Sequence, residues 1–513
     1  MKRILAGILC ICLLAGLFSG CAMEEEPYVP TGDGLTWDEG EGPGTEEEEE
    51  VPEQDLVMMF YPNITLNPYL CNDFTNRTLF SLLYQSLFVV DSAYNVFPML
   101  CKSYTMTDDM RTYTFYIEEA TFSDGTPLTI EDVLASYTAA KESNIYKGRF
   151  NHVTKISLTE DGGICFKTDT AFESLPQILD VPIVKAAEVA VDRPLGTGPY
   201  YMDQTTSGTR LRRRTDWWCQ AEMVLTTTSI PLRMAESVTQ IRDSFEFSDV
   251  GLVCADPNVE NYADYRSDYE LWDSENGGFL YIGCNTQSEL FSNTKLRAAL
   301  TYIINRDEIV EKYYNDFAHA ATLPASPLSP YYSNTLAKRY EYDPDKFIQA
   351  LNEAGKVGAT LKLLVNRKDT LRLRVARYLA AELKACGLNV ELVERSAEYY
   401  RYVLEMGEYD IYLGQTRLSS TMDLSSFFAP RGALRYGMSD PAFYSLCKDA
   451  LANRGNYFNL HQSIMQDGRL CPVLFQSYSV HATRGLLTGL TPSRDNVFFY
   501  TIGKTMADAF VYE

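Results

Sequence analysis

Histidine is scarce in this chain: its 513 residues contain four, His152, His319, His461 and His481. They stand far apart and share no metal-ligand spacing with a cysteine, so no metal centre is expected. The twelve cysteines include no C-x-x-C pair. Cys10, Cys12 and Cys21 fall in the first 21 residues, and nine others are scattered over the rest. An odd, scattered set argues against a fully paired framework. Mostly buried free thiols are expected, with one or two disulfides still open. G-x-S-x-G, H-E-x-x-H and paired-cysteine cofactor motifs are all missing, so neither an enzyme nor a cofactor is expected. Basic residues are also short, with 45 Lys and Arg against 69 Asp and Glu. Nucleic-acid binding needs a basic footprint, so that class is excluded.

What is present is a globular composition, 46 % apolar and 22 % charged, long enough for two or three domains with proper cores. Aromatics are plentiful, with 35 tyrosines and 25 phenylalanines. Flat rings fill cores, and they also line ligand clefts at low entropy cost. The net charge of -24 is unevenly spread. Residues 22–55 hold fourteen acidic side chains and no Lys or Arg. Removing those and Lys2 and Arg3 leaves the body near -12, an ordinary surface for its size.

The N-terminus reads as an export signal over residues 1–20. Lys2 and Arg3 precede the apolar run Ile4 to Leu17, which is too short for a stable span. Phe18-Ser19-Gly20-Cys21 resembles a lipobox, with Phe18 where Leu is usual. That resemblance implies an acylated Cys21 that anchors the protein outside the cytoplasm, since several acyl chains hold stably. Residues 21–54 then read as the lipidated cysteine and an acidic disordered tether, reaching roughly 30 Å.

The body alternates strand and helix signals. Leu56 to Tyr61 is a strand candidate, and Asn76 to Leu87 places Leu79, Leu83 and Leu87 on one helical stripe. Tyr113, Phe115 and Ile117 alternate as in a half-buried strand. Thr129 and Asp132 form a capping box for a helix carrying Val133, Tyr137 and Ala140. Asp369 and Thr370 cap a helix with Val375, Leu379 and Leu383, and Gly387 takes its C′ place. Leu388 to Leu392 is a strand, Glu398 to Met406 a helix, and Tyr409 to Leu413 a strand. This order predicts an α/β lobe.

Six segments carry a family resemblance. They are Phe122-Ser123-Asp124-Gly125-Thr126-Pro127-Leu128-Thr129-Ile130-Glu131-Asp132-Val133 with the preceding Leu82 to Phe88, Gly196-Thr197-Gly198-Pro199-Tyr200, Tyr281-Ile282-Gly283-Cys284-Asn285-Thr286, Leu296 to Arg306, Tyr342-Asp343-Pro344-Asp345-Lys346, and Ala354-Gly355. In this order they resemble the extracellular solute-binding proteins of ABC importers, the oligopeptide, dipeptide and nickel class called family 5. The likeness spans about residues 55–500. It implies an α/β, two-lobed periplasmic-binding-protein type 2 clamshell with an extra sub-domain in the first lobe. Lobe I would comprise 55–275 plus 485–513, with the sub-domain at about 90–195, and lobe II 276–484. It further implies a monomer that captures a peptide or small anionic solute and delivers it to a permease and ATPase complex. A non-transporting surface receptor of the same fold is the alternative.

The resemblance also marks candidate ligand contacts. Arg367 aligns with an arginine that clamps a ligand carboxylate in dipeptide-binding relatives; a guanidinium forks onto carboxylate. Peptide-binding relatives read G-W-x-x-D where this chain has Gly414-Gln415-Thr416-Arg417-Leu418. The carboxylate that pairs with a peptide amine is thus absent from its usual place, and Arg417 adds a positive charge. Asp423 matches a later D-P pair, with Leu424 in place of Pro. The expected contacts are Arg367, Gln415, Arg417 and Asp423, with Tyr436 as a packing wall.

Overall fold

The computed structural model describes residues 56–206, 208–221, 225, 227–256, 268–487 and 490–498. Residues 1–55, on which the expected export signal, the anchoring Cys21 and the acidic tether fall, lie outside the described residues. Among the described residues no helix is long and apolar enough to cross a membrane.

The first half of the chain builds two four-stranded sheets. One runs in the order Met58–Phe60, Ser229–Met234, Gly208–Arg213, Tyr200–Thr205, with the first pair parallel. The other is antiparallel throughout: Cys101–Met106, Thr112–Ile117, Ile164–Thr168, Val153–Leu158. Helix Ile130–Glu142 covers it. The Thr129 hydroxyl accepts from the Asp132 amide, and an Asp132 oxygen accepts from the Thr129 amide at 2.9 Å. The other Asp132 oxygen accepts from the Ala186 amide at 2.7 Å, so the cap also ties down a distant loop. Val133, Tyr137 and Ala140 are fully buried, and Tyr137 meets Phe166 edge-on at 5.1 Å.

The predicted single helix over 76–87 is instead two short ones, Phe74–Arg77 and Phe80–Leu83. Leu79, Leu83 and Leu87 are still buried. Tertiary bonds break the helix, because the Leu83 carbonyl accepts from the Gly198 amide at 3.0 Å and Gln85 bridges to Ile183. The Gly-Thr-Gly-Pro-Tyr turn is glycine-rich for the same reason. A Cβ on Gly196 would lie 2.1 Å from the Leu83 carbonyl oxygen, and one on Gly198 2.5 Å from that of Leu82. Close approach of two backbones, rather than a left-handed dihedral, demands glycine here.

The second half forms a seven-stranded mixed sheet. Its order is Leu252–Ala255, Leu470–Thr483, Tyr269–Cys284, Ile411–Arg417, Thr360–Asn366, Asn389–Arg395, with Ala318–Ala320 also paired to Leu470–Thr483. The Thr360, Asn389 and Ile411 strands are parallel and are joined by helices Thr370–Ala385 and Ala397–Met406. Asp369 caps the first helix through the Arg372 amide. Successive strand residues face opposite sides. Leu280, Ile282, Leu363 and Val365 pack with Val375, Leu379 and Leu383 on one face. Phe279, Tyr281, Leu364 and Tyr412 pack with Phe427, Leu460 and Ile464 on the other. Each such buried side chain contributes about 1.5–3 kcal/mol.

Two long strands, Tyr269–Cys284 and Leu470–Thr483, run through both halves. Tyr478, Val480 and Ala482 join the core of the first half, whereas Cys471, Val473 and Leu474 join that of the second. Their register breaks between Glu275 and Gly278, where Gly277 has φ +75°. The result is a two-lobed α/β clamshell. The nine cysteines of the body are free thiols, eight of them buried.

Candidate ligand-binding site

Between the lobes lies an open cleft, whose space counted out to the solvent is about 1190 Å³. Phe74, Arg77 and Asp256 line it from the first lobe, and Asn276, Gly278, Arg372, Gln415, Arg417 and Gln476 from the second. Tyr478, Arg494 and Asp495 close its floor. Six charged side chains line it, four of them arginines.

Asp495 organises this floor. Arg417 meets it at 2.6 Å, Arg149 at 3.0 Å, Arg494 at 3.5 Å and Arg77 at 3.8 Å. Burial alone would raise the Asp495 carboxyl, but the arginines, Arg417 first, outweigh it and hold it well below the usual carboxylate range. Arg149 also pairs with buried Asp180, whose carboxyl burial pushes upward against the pull of Arg149.

Gly277 makes room for Arg494, since a Cβ there would lie 2.2 Å from its Nη2. That Nη2 donates to the Leu418 carbonyl, while Nη1 is buried with no hydrogen-bond partner. Gln415 Nε2 donates to Gln476 Oε1 at 3.0 Å, which leaves Gln476 Nε2 buried without a partner. Buried donors in this state carry a desolvation cost that an acceptor would relieve.

Gln415 and Arg417 therefore line the cleft; the other three expected contacts lie elsewhere. Arg417 Nε donates to the Asn276 carbonyl at 2.8 Å, and its acid partner is Asp495 rather than Asp423. The Arg367 side chain is exposed after its strand, and its amide bonds the Arg395 carbonyl. One helical turn on, Arg372 reaches the cleft instead, held by Asp369 at 2.7 and 3.0 Å. Tyr436 borders a separate surface groove with Tyr409 and Glu405, its ring under the Arg435 guanidinium at 5.6 Å.

Asp423 belongs to a contact between the sub-domain and the second lobe. Its oxygens accept from the Ser425 amide at 2.8 Å and hydroxyl at 2.7 Å. His152 reaches across, with Nε2 3.0 Å from Ser425 Oγ and Nδ1 2.8 Å from Asp169. Nearby, Tyr331 Oη donates to Gln177 Oε1 and Ser420 Oγ to the Gln177 carbonyl. Short range explains this placement: Asp423 caps its own turn two residues on.

Arg494 and Asp495 left no signal in the sequence because they sit in no motif and meet hydrogen-bond partners 76 to 346 residues away. Arg372 had a local signal, the i, i+3 spacing to a capping aspartate.

Residues 95–433 match the family model of bacterial extracellular solute-binding proteins, family 5. The glutathione-binding protein GsiB of Escherichia coli K12 is 25 % identical over 362 residues, covering 67 % of this chain and 70 % of its own. HbpA2 from Haemophilus parasuis superposes with a TM-score of 0.73 at 18 % identity, over 87 % of this chain and 98 % of that one. The oligopeptide-binding protein AppA from Bacillus subtilis, solved with a nonapeptide, gives 0.61 at 21 % identity, over 86 % and 97 %. The chain belongs to the family 5 extracellular solute-binding proteins of ABC importers.

Proposed function

We propose that this chain is the lipid-anchored capture component of an importer for a peptide or small solute whose recognised group is anionic. Lobe I would be 55–275 with 485–513, lobe II 276–484, and Cys21 the anchor. The ligand sits in the cleft between them, and the lobes close by whatever affinity difference it has for the two forms. The observation that carries this reading is the arginine surplus: Arg77, Arg149, Arg417 and Arg494 converge on Asp495, and of the four only Arg149 also pairs with Asp180. A ligand carboxylate would complete that charge set and meet the spare donors of Arg494 and Gln476. A peptide ammonium would find no carboxylate at Leu418, whose side chain is buried.

The test is thermal unfolding of the protein with free-amine peptides, N-acetylated peptides, small polycarboxylates and nickel chelates. A ligand at one hundred times its Kd adds about 2.7 kcal/mol. Stabilisation by N-acetylated peptides or polycarboxylates is expected. Stabilisation confined to free-amine peptides overturns the reading.

A further inference from the structure

Away from the cleft the sub-domain meets the second lobe along a seam made of three contacts. Asn151 Nδ2 donates to Ser426 Oγ at 2.8 Å, and His152, held from its own side by Asp169, puts Nε2 3.0 Å from Ser425 Oγ. The Glu173 amide donates at 2.9 Å to the Leu451 carbonyl, one of the last carbonyls of helix Pro441–Ala452. In return the Glu173 carboxylate accepts from the Arg454 amide at 2.9 Å. Gln177 Oε1 accepts from Tyr331 Oη at 2.5 Å, and the Gln177 carbonyl accepts from Ser420 Oγ at 2.6 Å.

The seam is dry yet polar. His152, Gln177, Tyr331, Ser420 and Ser425 are each at most 4 % exposed. No strand pairs across it: the four-stranded sheet of the sub-domain and the seven-stranded sheet of the second lobe stay separate. The two long strands that run through both halves supply none of these contacts. An open groove lined by Glu173, Gln177 and Arg454 borders it. Polar contacts of this kind between parts of one chain are the ones that separate. On parting, each group exchanges its partner for water, so the net cost per bond is small. Removing one partner while the seam is shut leaves the other buried and unpaired, which costs far more.

We propose that this seam is a closure latch. It parts as a unit when the clamshell opens and re-forms when it shuts, so the sub-domain holds the closed state together with the cleft. The latch needs only the two-lobed fold and no particular ligand charge, so it stands or falls apart from the anion reading.

The test is hydrogen exchange of the ligand-free protein, read at single residues. The amides of Glu173 and Arg454 are bonded across the seam. Those of their neighbours Phe172 and Asn453 are bonded within their own sides, to the Met110 and Asp449 carbonyls. Opening of the latch exposes the first pair and not the second. Relative to their intrinsic rates, Glu173 and Arg454 are expected to exchange at least about tenfold faster than Phe172 and Asn453. Tyr331→Phe removes one hydroxyl and leaves Gln177 Oε1 unpaired only while the seam is shut. It should speed exchange at Glu173 and Arg454 together by about 5- to 100-fold and leave Phe172 and Asn453 unchanged. Equal protection of all four amides overturns the latch, because the seam then opens only when the structure on either side does. A Tyr331→Phe effect that misses Glu173 and Arg454, or reaches one of them alone, also overturns it, since the contacts then do not part together.

Discussion

Asp495→Asn is expected to destabilise the protein by about 3–5 kcal/mol, the usual cost of removing one partner from a buried ion pair. Asp495 and its contacts Arg149 and Arg494 are at most 8 % exposed at the side chain. Without the carboxylate, Arg77, Arg149, Arg417 and Arg494 would face one another with Asp180 as the nearest remaining counter-charge. Urea unfolding at neutral pH measures this. Asp243→Asn is the control: it pairs with Arg242, both about half exposed (48 % and 47 %), and such pairs are worth at most about 1 kcal/mol. Equal losses in the two variants would contradict the role given to Asp495. A further expectation is specific to an anion site: a bound polycarboxylate should recover part of the Asp495→Asn loss, because it supplies the missing charge.

The second large effect concerns acid. His461 is wholly buried in helix Tyr457–Asp467, and neither ring nitrogen has a hydrogen-bond partner. Burial pushes its imidazole down to about 3. The unfolded chain takes up a proton near pH 6.5 and the folded chain does not, so stability falls as pH drops from about 6.5 toward 3. The slope is roughly 1 kcal/mol per pH unit, or about 2–3 kcal/mol by pH 4.5. His481, pushed down to about 4 by burial, adds in the same direction. His461→Leu removes the first contribution. Its stability relative to the unsubstituted protein should improve by about 2–3 kcal/mol between pH 7.5 and pH 4.5. Comparing the two pH values cancels any repacking cost, so an unchanged difference would show that His461 is protonated in the fold.

Local signals carried over into structure where a short stretch decides its own conformation. The Thr129–Asp132 box, the Asp369 cap and the Tyr113–Phe115 alternation all stand as read, because their partners are within a few residues. The helix expected over 76–87 failed where Gly198 and Ile183, more than ninety residues away, took the backbone bonds. The cleft was legible to the same degree. Gln415 and Arg417 ride on a strand whose alternation fixes their direction, and they line the cleft. Arg367 has no partner to hold it and projects outward, whereas Arg372 is steered by Asp369. Asp495 joins Arg77, Arg149 and Arg417 across 78 to 418 residues, a separation that leaves no periodicity or spacing to read.

The central claim, that an anionic group binds between the lobes against Arg417, is tested most directly by titrating the protein and its Arg417→Ala variant with whichever N-acetylated peptide or polycarboxylate stabilises it best. Arg417 is 33 % exposed at the side chain, and Asp495 keeps three other arginines, so the variant should fold. Loss of a charged hydrogen bond to the ligand predicts about 10- to 100-fold weaker binding. Equal affinity in the two proteins would contradict the account.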